Sequence, residues 1–412
     1  MTENGIFIVG SGHAGSRAAQ SLRGYGWTGS ITLLDGEDSQ PYERPPLSKS
    51  VLVGETTIEN CALFKNGFLE DDIDYMSGVS AVGLSPERRL LTLSNGQIIG
   101  YERLLLAPGA QPRPLGIPGA DLQGVSYLRT AADATLVSGW MRPGTRMIII
   151  GGGLIGLEAA SSAILKGCTV SVIEAGPRLM TRAVPAEISG RIRAFHEDHG
   201  VKFVFGRAAN LIYGDERVGG VRLDDGTEMD CDVVLACIGV MPRVSLAVAA
   251  GLRVENGIAV DRHLRTSDPF IYAAGDACSF DEGNGLRTRL ECWKNAEDQG
   301  ALAARNMLGA DELYSPIPWM WSDQYEKTMQ IVGHPDRGVA EVFRMCSDGT
   351  QLVYHLNPDG GIAGVSGFGS IREVARGVRI GQLMIEKGIR PSVAVLQDAT
   401  IDLKALASAR AA

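Results

Sequence analysis

The chain has 412 residues, 45% of them apolar and 21% charged, with 52 glycines and a formal charge of −9. That length predicts two or three soluble domains with ample core material. The acidic balance excludes nucleic-acid binding through a global basic field, and no apolar run is long enough to mark a transmembrane helix.

The opening MTENGIFIVG enters an apolar strand at once, with no basic run ahead of it, so no secretory signal is expected. The stretch IFIVGSGHAGSRAAQSLRGYG then gives Gly10, Gly12 and Gly15 in the spacing G-x-G-x-x-G, followed by a small-residue helix from Ala14 to Leu22. Each glycine has a physical task in a dinucleotide site. The first makes a tight turn, the second lets backbone approach a pyrophosphate, and the third lets helix pack on strand. The helix N-terminus, with His13 and Ala14, then presents unpaired N–H groups and a favourable dipole to the phosphates. A second strand, SITLLD, ends in Asp35, where a ribose-binding carboxylate belongs. Glu37 follows closely, and either acid suits the ribose.

Residues 41–50, PYERPPLSKS, place two prolines between Arg44 and Lys49. Pro45 and Pro46 fix φ and remove two backbone donors, which suits a rigid wall beside a planar ring as well as it suits a surface turn. LLLAPGAQP (Leu104 to Pro112) marks a crossing between domains, and the fingerprint then recurs. TRMIIIGGGLIGLEAASSAILKGCTVSVIEAG holds Gly151, Gly153 and Gly156, a helix from Leu154 to Leu165 and a strand ending at Glu174. Two complete fingerprints imply two dinucleotides. Glu174 can accept hydrogen bonds from a ribose and would repel a 2′-phosphate. The next residues, Ala175, Gly176 and Pro177, bring no arginine; Arg178 and Arg182 come later, for a pyrophosphate or adenine. NADH is therefore expected over NADPH.

LACIGVMPR (Leu235 to Arg243) marks the return crossing, and LRTSDPFIYAAGDAC places an apolar strand, Phe270 to Ala274, before Gly275 and Asp276. From about residue 321, short strands such as TMQIVG and QLVYHL precede a helical stretch, SIREVARGVRIGQLMIEKG. The expected architecture is α/β. Two doubly wound Rossmann-like dinucleotide-binding domains, glutathione-reductase-like, are joined by a small C-terminal α+β domain. Residues 1–110 and 241–320 form a discontinuous FAD domain, 111–240 an inserted NAD domain and 321–412 the third.

Seven cysteines are scattered without a C-x-x-C pair, and position 42 is Tyr42, so no dithiol or single redox thiol stands near the first fingerprint. A reduced, cytoplasmic setting is expected. Six isolated histidines give no metal site, and His196 and His199 read as a solvated helix face. Residues 371–412 carry seven basic and four acidic side chains. Arg372, Arg376, Arg379, Lys387 and Arg390 suit either a solvated helix or a docking patch for an acidic carrier.

These residues together resemble the oxygenase-coupled, NADH-dependent ferredoxin reductases, putidaredoxin reductase-like members of the two-dinucleotide flavoproteins. PYxRPPLSK is the most specific piece; GGGLIGLEAA, AAGDA, NAEDQG and WSDQY also match, and the likeness covers essentially the whole chain. The resemblance implies FAD, NADH and a 2Fe-2S ferredoxin serving a monooxygenase or ring-hydroxylating dioxygenase, as in aromatic hydrocarbon catabolism. Rubredoxin reductase, an NADH oxidase-like flavoprotein or an NADH-sensing protein of the apoptosis-inducing-factor kind are the alternatives. It also implies that Lys49 stands near the hydride-accepting ring nitrogen, paired with Glu158. Asp276 and Gly275 would meet the ribityl chain and pyrophosphate, Arg44 and Arg129 the flavin dinucleotide, and Trp293 and Trp321 the ring. Trp321, with Trp319, reads equally as core of the small domain. Trp293 departs from the relatives, which often carry a small aliphatic residue there. Val82 completes the flavin set, and Leu154, Ile155 and Gly239 the NAD set. A monomer or weak dimer is expected, with no membrane partner.

Overall fold

A computed structural model describes residues 5–64, 72–181, 183–283 and 285–408. The chain divides into two compact units. One takes Met1–Pro45, Thr56–Gln111 and Val240–Pro316; the other takes Pro46–Glu55, Pro112–Gly239 and Ile317–Ala412. The segment PYERPPLSKS is thus shared, with Tyr42 and Arg44 in the first unit and Lys49 in the second.

In the first unit, strand Gly5–Val9 lies between Ile31–Leu34 and Ile98–Leu106, parallel to both. Asp74–Met76 extends the sheet on one side and Ile271–Ala273 on the other, again in parallel. Ile6, Ile8, Leu33, Leu104 and Leu105 are buried, because a parallel sheet covered on both faces uses continuous apolar runs rather than alternation. Helix His13–Gly24 packs on helix Trp293–Met307. Gly300 permits their approach, since a Cβ there would collide with the Ala14 carbonyl.

The second unit repeats the plan. Strand Arg146–Ile150 is flanked by Thr169–Glu174 and Val233–Ala236, with Lys202–Phe205 and Val125–Ser126 outside them, all parallel. Both fingerprints therefore leave the central one of five parallel strands, the doubly wound arrangement, with the outermost strand after the return strand differing: Ile271–Ala273, last in sequence, in the first unit and Val125–Ser126, first in sequence, in the second. This unit also holds a five-stranded antiparallel sheet, ordered Trp319–Gln324, Lys327–Gly333, Ile362–Ser370, Gln351–Leu356 and Ala340–Met345. Helix Ile371–Glu386 covers it, burying Val374, Val378, Gly381 and Met384 at helical spacing. Ser370 caps that helix by accepting from the Glu373 N–H. Buried Arg344 donates to the carbonyls of Leu396, Asp398 and Ile401, fastening the following segment to the sheet.

One sequence expectation is corrected. His196 is not on a solvated face but fully buried, and His199 stacks on Tyr325 with ring centroids 3.9 Å apart. Helix Ala186–Asp198 is covered by Gln324 and Tyr325, more than a hundred residues downstream. Local spacing carries no trace of that cover.

Candidate dinucleotide sites

In the first fingerprint Gly10 has φ +100°, and a Cβ there would collide with the Ala107 carbonyl. A Cβ on Gly15 would collide with the Gly10 carbonyl. Gly12 is different: its φ of −64° suits any residue, and an added Cβ would meet nothing within 4 Å. Folding does not require glycine there. The open backbone faces the space at the start of helix His13–Gly24, as a pyrophosphate cradle needs. The second fingerprint behaves alike. Gly151 has φ +111° and abuts the Cys237 carbonyl, Gly156 abuts Gly151, and Gly153 again has nothing within 4 Å. The donor set and the uncrowded backbone at Gly12 and Gly153 fit a dinucleotide at each place.

Around the first cradle, Gly275 (φ +77°) gives its N–H to Gln299 Oε1 at 2.8 Å and lies against the Ala14 side chain. Asp276 follows in the same 3-10 turn, Gly275–Ala277. The His13 and Trp293 rings meet edge to face with centroids 6.2 Å apart. His13, Ala14, Gly275, Asp276 and Trp293 are thus gathered by the packing of the two helices.

Asp35 ends its strand with both oxygens engaged. Oδ1 accepts from the Glu37 N–H at 2.9 Å, and Oδ2 from the Ser11 N–H at 3.3 Å and the Ser11 hydroxyl. Glu37 accepts from Tyr42 Oη at 2.5 Å and Arg44 Nη2 at 2.9 Å. Burial opposes the Arg44 charge, but Tyr42 and Glu37 outweigh it and hold the pKa above the ordinary value. Gly12, Asp35, Glu37, Tyr42 and Arg44 line one recess. Both acids left open by the sequence therefore border it. Val82 is exposed on strand Ala81–Ser85, reached from the Asp35 end through the Val79 N–H to Asp35 carbonyl bond of 2.8 Å.

At the second site Glu174 plays the part of Asp35. Its Oε2 accepts from the Gly152 N–H at 2.8 Å and Oε1 from the Gly176 N–H at 2.7 Å. Leu154 and Ile155 open helix Leu154–Leu165, with Ile155 exposed despite its apolar side chain. Gly239 (φ +95°) accepts from the Arg113 N–H. Arg178 is spent on the Thr181 and Val184 carbonyls. Arg182 lies outside the described residues. Arg129 precedes helix Ala131–Trp140, its N–H on Asp133.

The same unit contains an ion pair. Lys49 Nζ lies 2.7 Å from Glu158 Oε2, with the Glu158 side chain 3% exposed. Pro45–Ser48 forms a 3-10 turn whose Ser48 carbonyl accepts from Ser162 Oγ at 2.8 Å. The Ser48 hydroxyl donates to Glu158 Oε2 as well, and Ser322 Oγ donates to Oε1 at 2.7 Å. A buried carboxylate with one cation and two hydroxyl donors meets the requirement that a desolvated charge be paired and hydrogen-bonded. Nearby, Trp319 and Trp321 stack with centroids 5.0 Å apart, and Trp321 Nε1 donates to Asp323. Tyr42, Ser48 and Ser322 fall within the matching stretches PYxRPPLSK and WSDQY, but neither they nor Ser11 carry a role in the sequence reading; placement supplies it.

All seven cysteines are free, and each thiol is pushed above its ordinary pKa. Burial raises Cys237 to about 12, with Glu158 adding to it, and Cys292 to about 11. None is poised as a thiolate nucleophile.

Residues 4–300 match the family model described as pyridine nucleotide-disulphide oxidoreductase, and 319–407 match the reductase C-terminal model. Among relatives, the anthranilate 1,2-dioxygenase system ferredoxin–NAD(+) reductase component of Burkholderia cepacia is 35% identical over 408 residues. The match covers 98% of this chain and 99% of the relative. Among solved structures, the ferredoxin reductase for the CYP199A2 system from Rhodopseudomonas palustris gives a TM-score of 0.93 at 35% identity, covering 98% of this chain and 100% of that one. The covalent putidaredoxin reductase–putidaredoxin complex gives 0.92 at 30% identity, with both chains covered fully.

Proposed function

Because this chain belongs to the pyridine nucleotide-disulphide oxidoreductase family and carries a reductase C-terminal domain, we propose that it is an FAD-dependent NADH:ferredoxin reductase serving a monooxygenase or ring-hydroxylating dioxygenase. When bound, FAD supplies the conversion of a two-electron hydride input into single-electron output. The observation that carries the reading is a pair of open dinucleotide cradles in a chain whose seven cysteines are all free and include no C-x-x-C pair. Electrons that enter as hydride have no dithiol pair to leave through, so they pass to an external carrier. The named relatives and neighbours that are ferredoxin reductases support that direction.

In this reading Gly10–Gly15, Gly275 and Asp276 hold the flavin diphosphate and ribityl chain. Asp35, Glu37, Arg44, Val82 and Arg129 serve the rest of the flavin dinucleotide, and Trp293 and Trp321 the ring. Gly151–Gly156, Glu174, Arg182 and Gly239 hold NADH, with Leu154 and Ile155 in the first helical turn. Residues 1–110 with 241–320 are the flavin domain, 111–240 the NAD domain and 321–412 the third. Lys49 is the cation assigned to the hydride-accepting edge, and Glu158 pairs with it and orients it. The carrier is a 2Fe-2S ferredoxin docking near Arg372, Arg376, Arg379, Lys387 and Arg390. Arg376 pairs with Glu373 and Asp402, Arg379 with Glu386, and Arg390 with Asp359. Such exposed pairs are each worth about 0–1 kcal/mol, so a carrier's carboxylates can replace them.

The test is anaerobic addition of NADH to the FAD-loaded protein, followed by ferredoxin or oxygen. Bleaching by NADH with fast return through ferredoxin and slow return through oxygen is expected. Return through oxygen at the ferredoxin rate would rule the assignment out in favour of an oxidase. A long-lived NAD complex with poor turnover on every carrier would favour a sensor.

A further inference from the structure

Two of the three donors to Glu158 come from its neighbours in the PPLSKS stretch; the third, Ser322, belongs to strand Trp319–Gln324 of the C-terminal sheet. Ser322 is itself one link of a longer chain. Gln324 Nε2 donates to Ser322 Oγ at 3.2 Å, and Gln324 Oε1 lies 2.9 Å from His196 Nε2. His196, Ser322 and Gln324 are each no more than 1% exposed. All belong to the second unit.

The direction of the chain follows from proton counting. Ser322 has a single hydroxyl proton, and a carboxylate only accepts, so that proton goes to Glu158 Oε1. The Ser322 lone pairs must then accept, which turns the Gln324 amide nitrogen towards Ser322 and its oxygen towards His196. That oxygen needs a donor, so the neutral imidazole carries its proton on Nε2. Two observations agree. Burial pushes the His196 pKa down to about 4, leaving the ring neutral. His196 Nδ1 has no hydrogen-bond partner among the described residues. An orphaned acceptor nitrogen is tolerated more readily than an orphaned N–H.

We propose that Ser322, Gln324 and His196 are positioning residues for the Lys49–Glu158 pair, forming a one-way hydrogen-bond chain from helix Ala186–Asp198 through the C-terminal sheet to the Glu158 carboxylate. The inference rests on the assignment of Lys49 to the hydride step. Ser322 occupies Oε1 and leaves Oε2 for Lys49 and Ser48. Without it Oε1 is left unbonded among the described residues, and the carboxylate is held only through Oε2, so the ammonium faces a less fixed partner. The reductase C-terminal segment thereby contributes to the reaction centre through another residue's charge.

The experiment compares wild type, Ser322→Ala, Ser322→Thr and Gln324→Met. A hydrogen bond to a charged group is worth about 1.5–3 kcal/mol, so Ser322→Ala should slow flavin reduction by NADH about 10- to 100-fold. The apparent NADH dissociation constant should move less than about two-fold if only positioning is lost. Ser322→Thr, which keeps the hydroxyl, should recover most of the rate, and Gln324→Met should show a smaller loss in the same sense. A wild-type rate in Ser322→Ala, or a rate loss matched by lost NADH affinity, overturns the proposal.

Two readouts do not need the loaded enzyme. Nitrogen-15 spectra of histidine-labelled apoprotein should show His196 as the Nε2–H tautomer; the Nδ1–H tautomer overturns the chain. Melting of apo Ser322→Ala, Glu158→Gln and the double variant should be non-additive, and additive losses overturn it even where a variant is too unstable for kinetics. If wild type itself is not reduced by NADH, the functional reading fails, while these apoprotein measurements still decide the chain.

Discussion

Gly12→Ala separates what the fold needs from what a ligand needs. The Gly12 backbone has φ −64° and ψ −173°, open to alanine, and the new methyl would meet nothing within 4 Å. Replacing glycine at such a position reduces unfolded-state entropy, so apoprotein stability should hold or rise by about 0.4–1 kcal/mol. The methyl instead fills the space where a diphosphate must approach backbone N–H groups. Losing two charge-assisted hydrogen bonds at about 1.5–3 kcal/mol each weakens flavin binding by roughly 10²- to 10⁴-fold. Gly15→Ala is the control: its methyl collides with the Gly10 carbonyl, and the apoprotein should lose about 1–3 kcal/mol or more. Gly153→Ala, equally open, should keep its flavin and lose NADH binding. The assays are apoprotein thermal melts, flavin-fluorescence quenching and NADH titration. A Gly12→Ala protein that binds flavin like wild type, or a Gly153→Ala protein that drops flavin and keeps NADH, would refute the assignment of the two cradles.

Glu174→Arg removes the carboxylate that holds the Gly152 and Gly176 N–H groups and supplies a cation for a 2′-phosphate. KM for NADH should rise at least about ten-fold and that for NADPH should fall, a change of about 1.4 kcal/mol or more; an unchanged preference argues that Glu174 does not face the ribose. Lys49→Ala should slow flavin reduction by NADH more than it lowers flavin content, and an unaltered rate in stopped flow would place Lys49 outside the reaction centre. His196 and His355 are buried, and burial holds each pKa at about 4 rather than 6.5. The unfolded chain binds more protons in that window, so each contributes stability that is present above pH 6.5 and lost as pH falls towards 4. Between pH 7 and 5 that amounts to about 2 kcal/mol per histidine. His355→Asn should be flatter than wild type by that amount in urea unfolding, and identical slopes would contradict it.

The doubly wound halves were legible because their signals are local. A buried strand, a glycine turn, a small-residue helix and a strand-end acid fall within about thirty residues and are fixed by backbone geometry. The spacing alone gives Gly10, Gly12 and Gly15 separate tasks, and the contrast between crowded Gly15 and open Gly12 follows those tasks. What could not be read depends on distant chain. Ser322 and Glu158 are 164 positions apart, and a serine next to a tryptophan in a strand announces nothing. The burial of His196 escapes local spacing for the same reason, since its cover comes from the C-terminal sheet. The Lys49–Glu158 pair was named only through a family resemblance; spacing alone relates neither residue to the other.

The two cradles differ in a way that bears on their ligands. Each strand-end acid is used twice by its own backbone: Asp35 by Ser11 and Glu37, Glu174 by Gly152 and Gly176. A carboxylate in that position therefore stiffens the glycine loop and the turn after the strand. At the first site Glu37 also accepts from Tyr42 and Arg44, and all three line the recess beside Asp35. At the second site the strand end runs straight into Ala175 and Gly176, and Ile155 stands exposed at the helix start. A prosthetic group that stays through many turnovers suits the more heavily cross-bonded site, and a coenzyme that must leave after each hydride suits the other. That is the asymmetry expected if flavin occupies the first fingerprint and nicotinamide the second, as proposed from the acids and chain order.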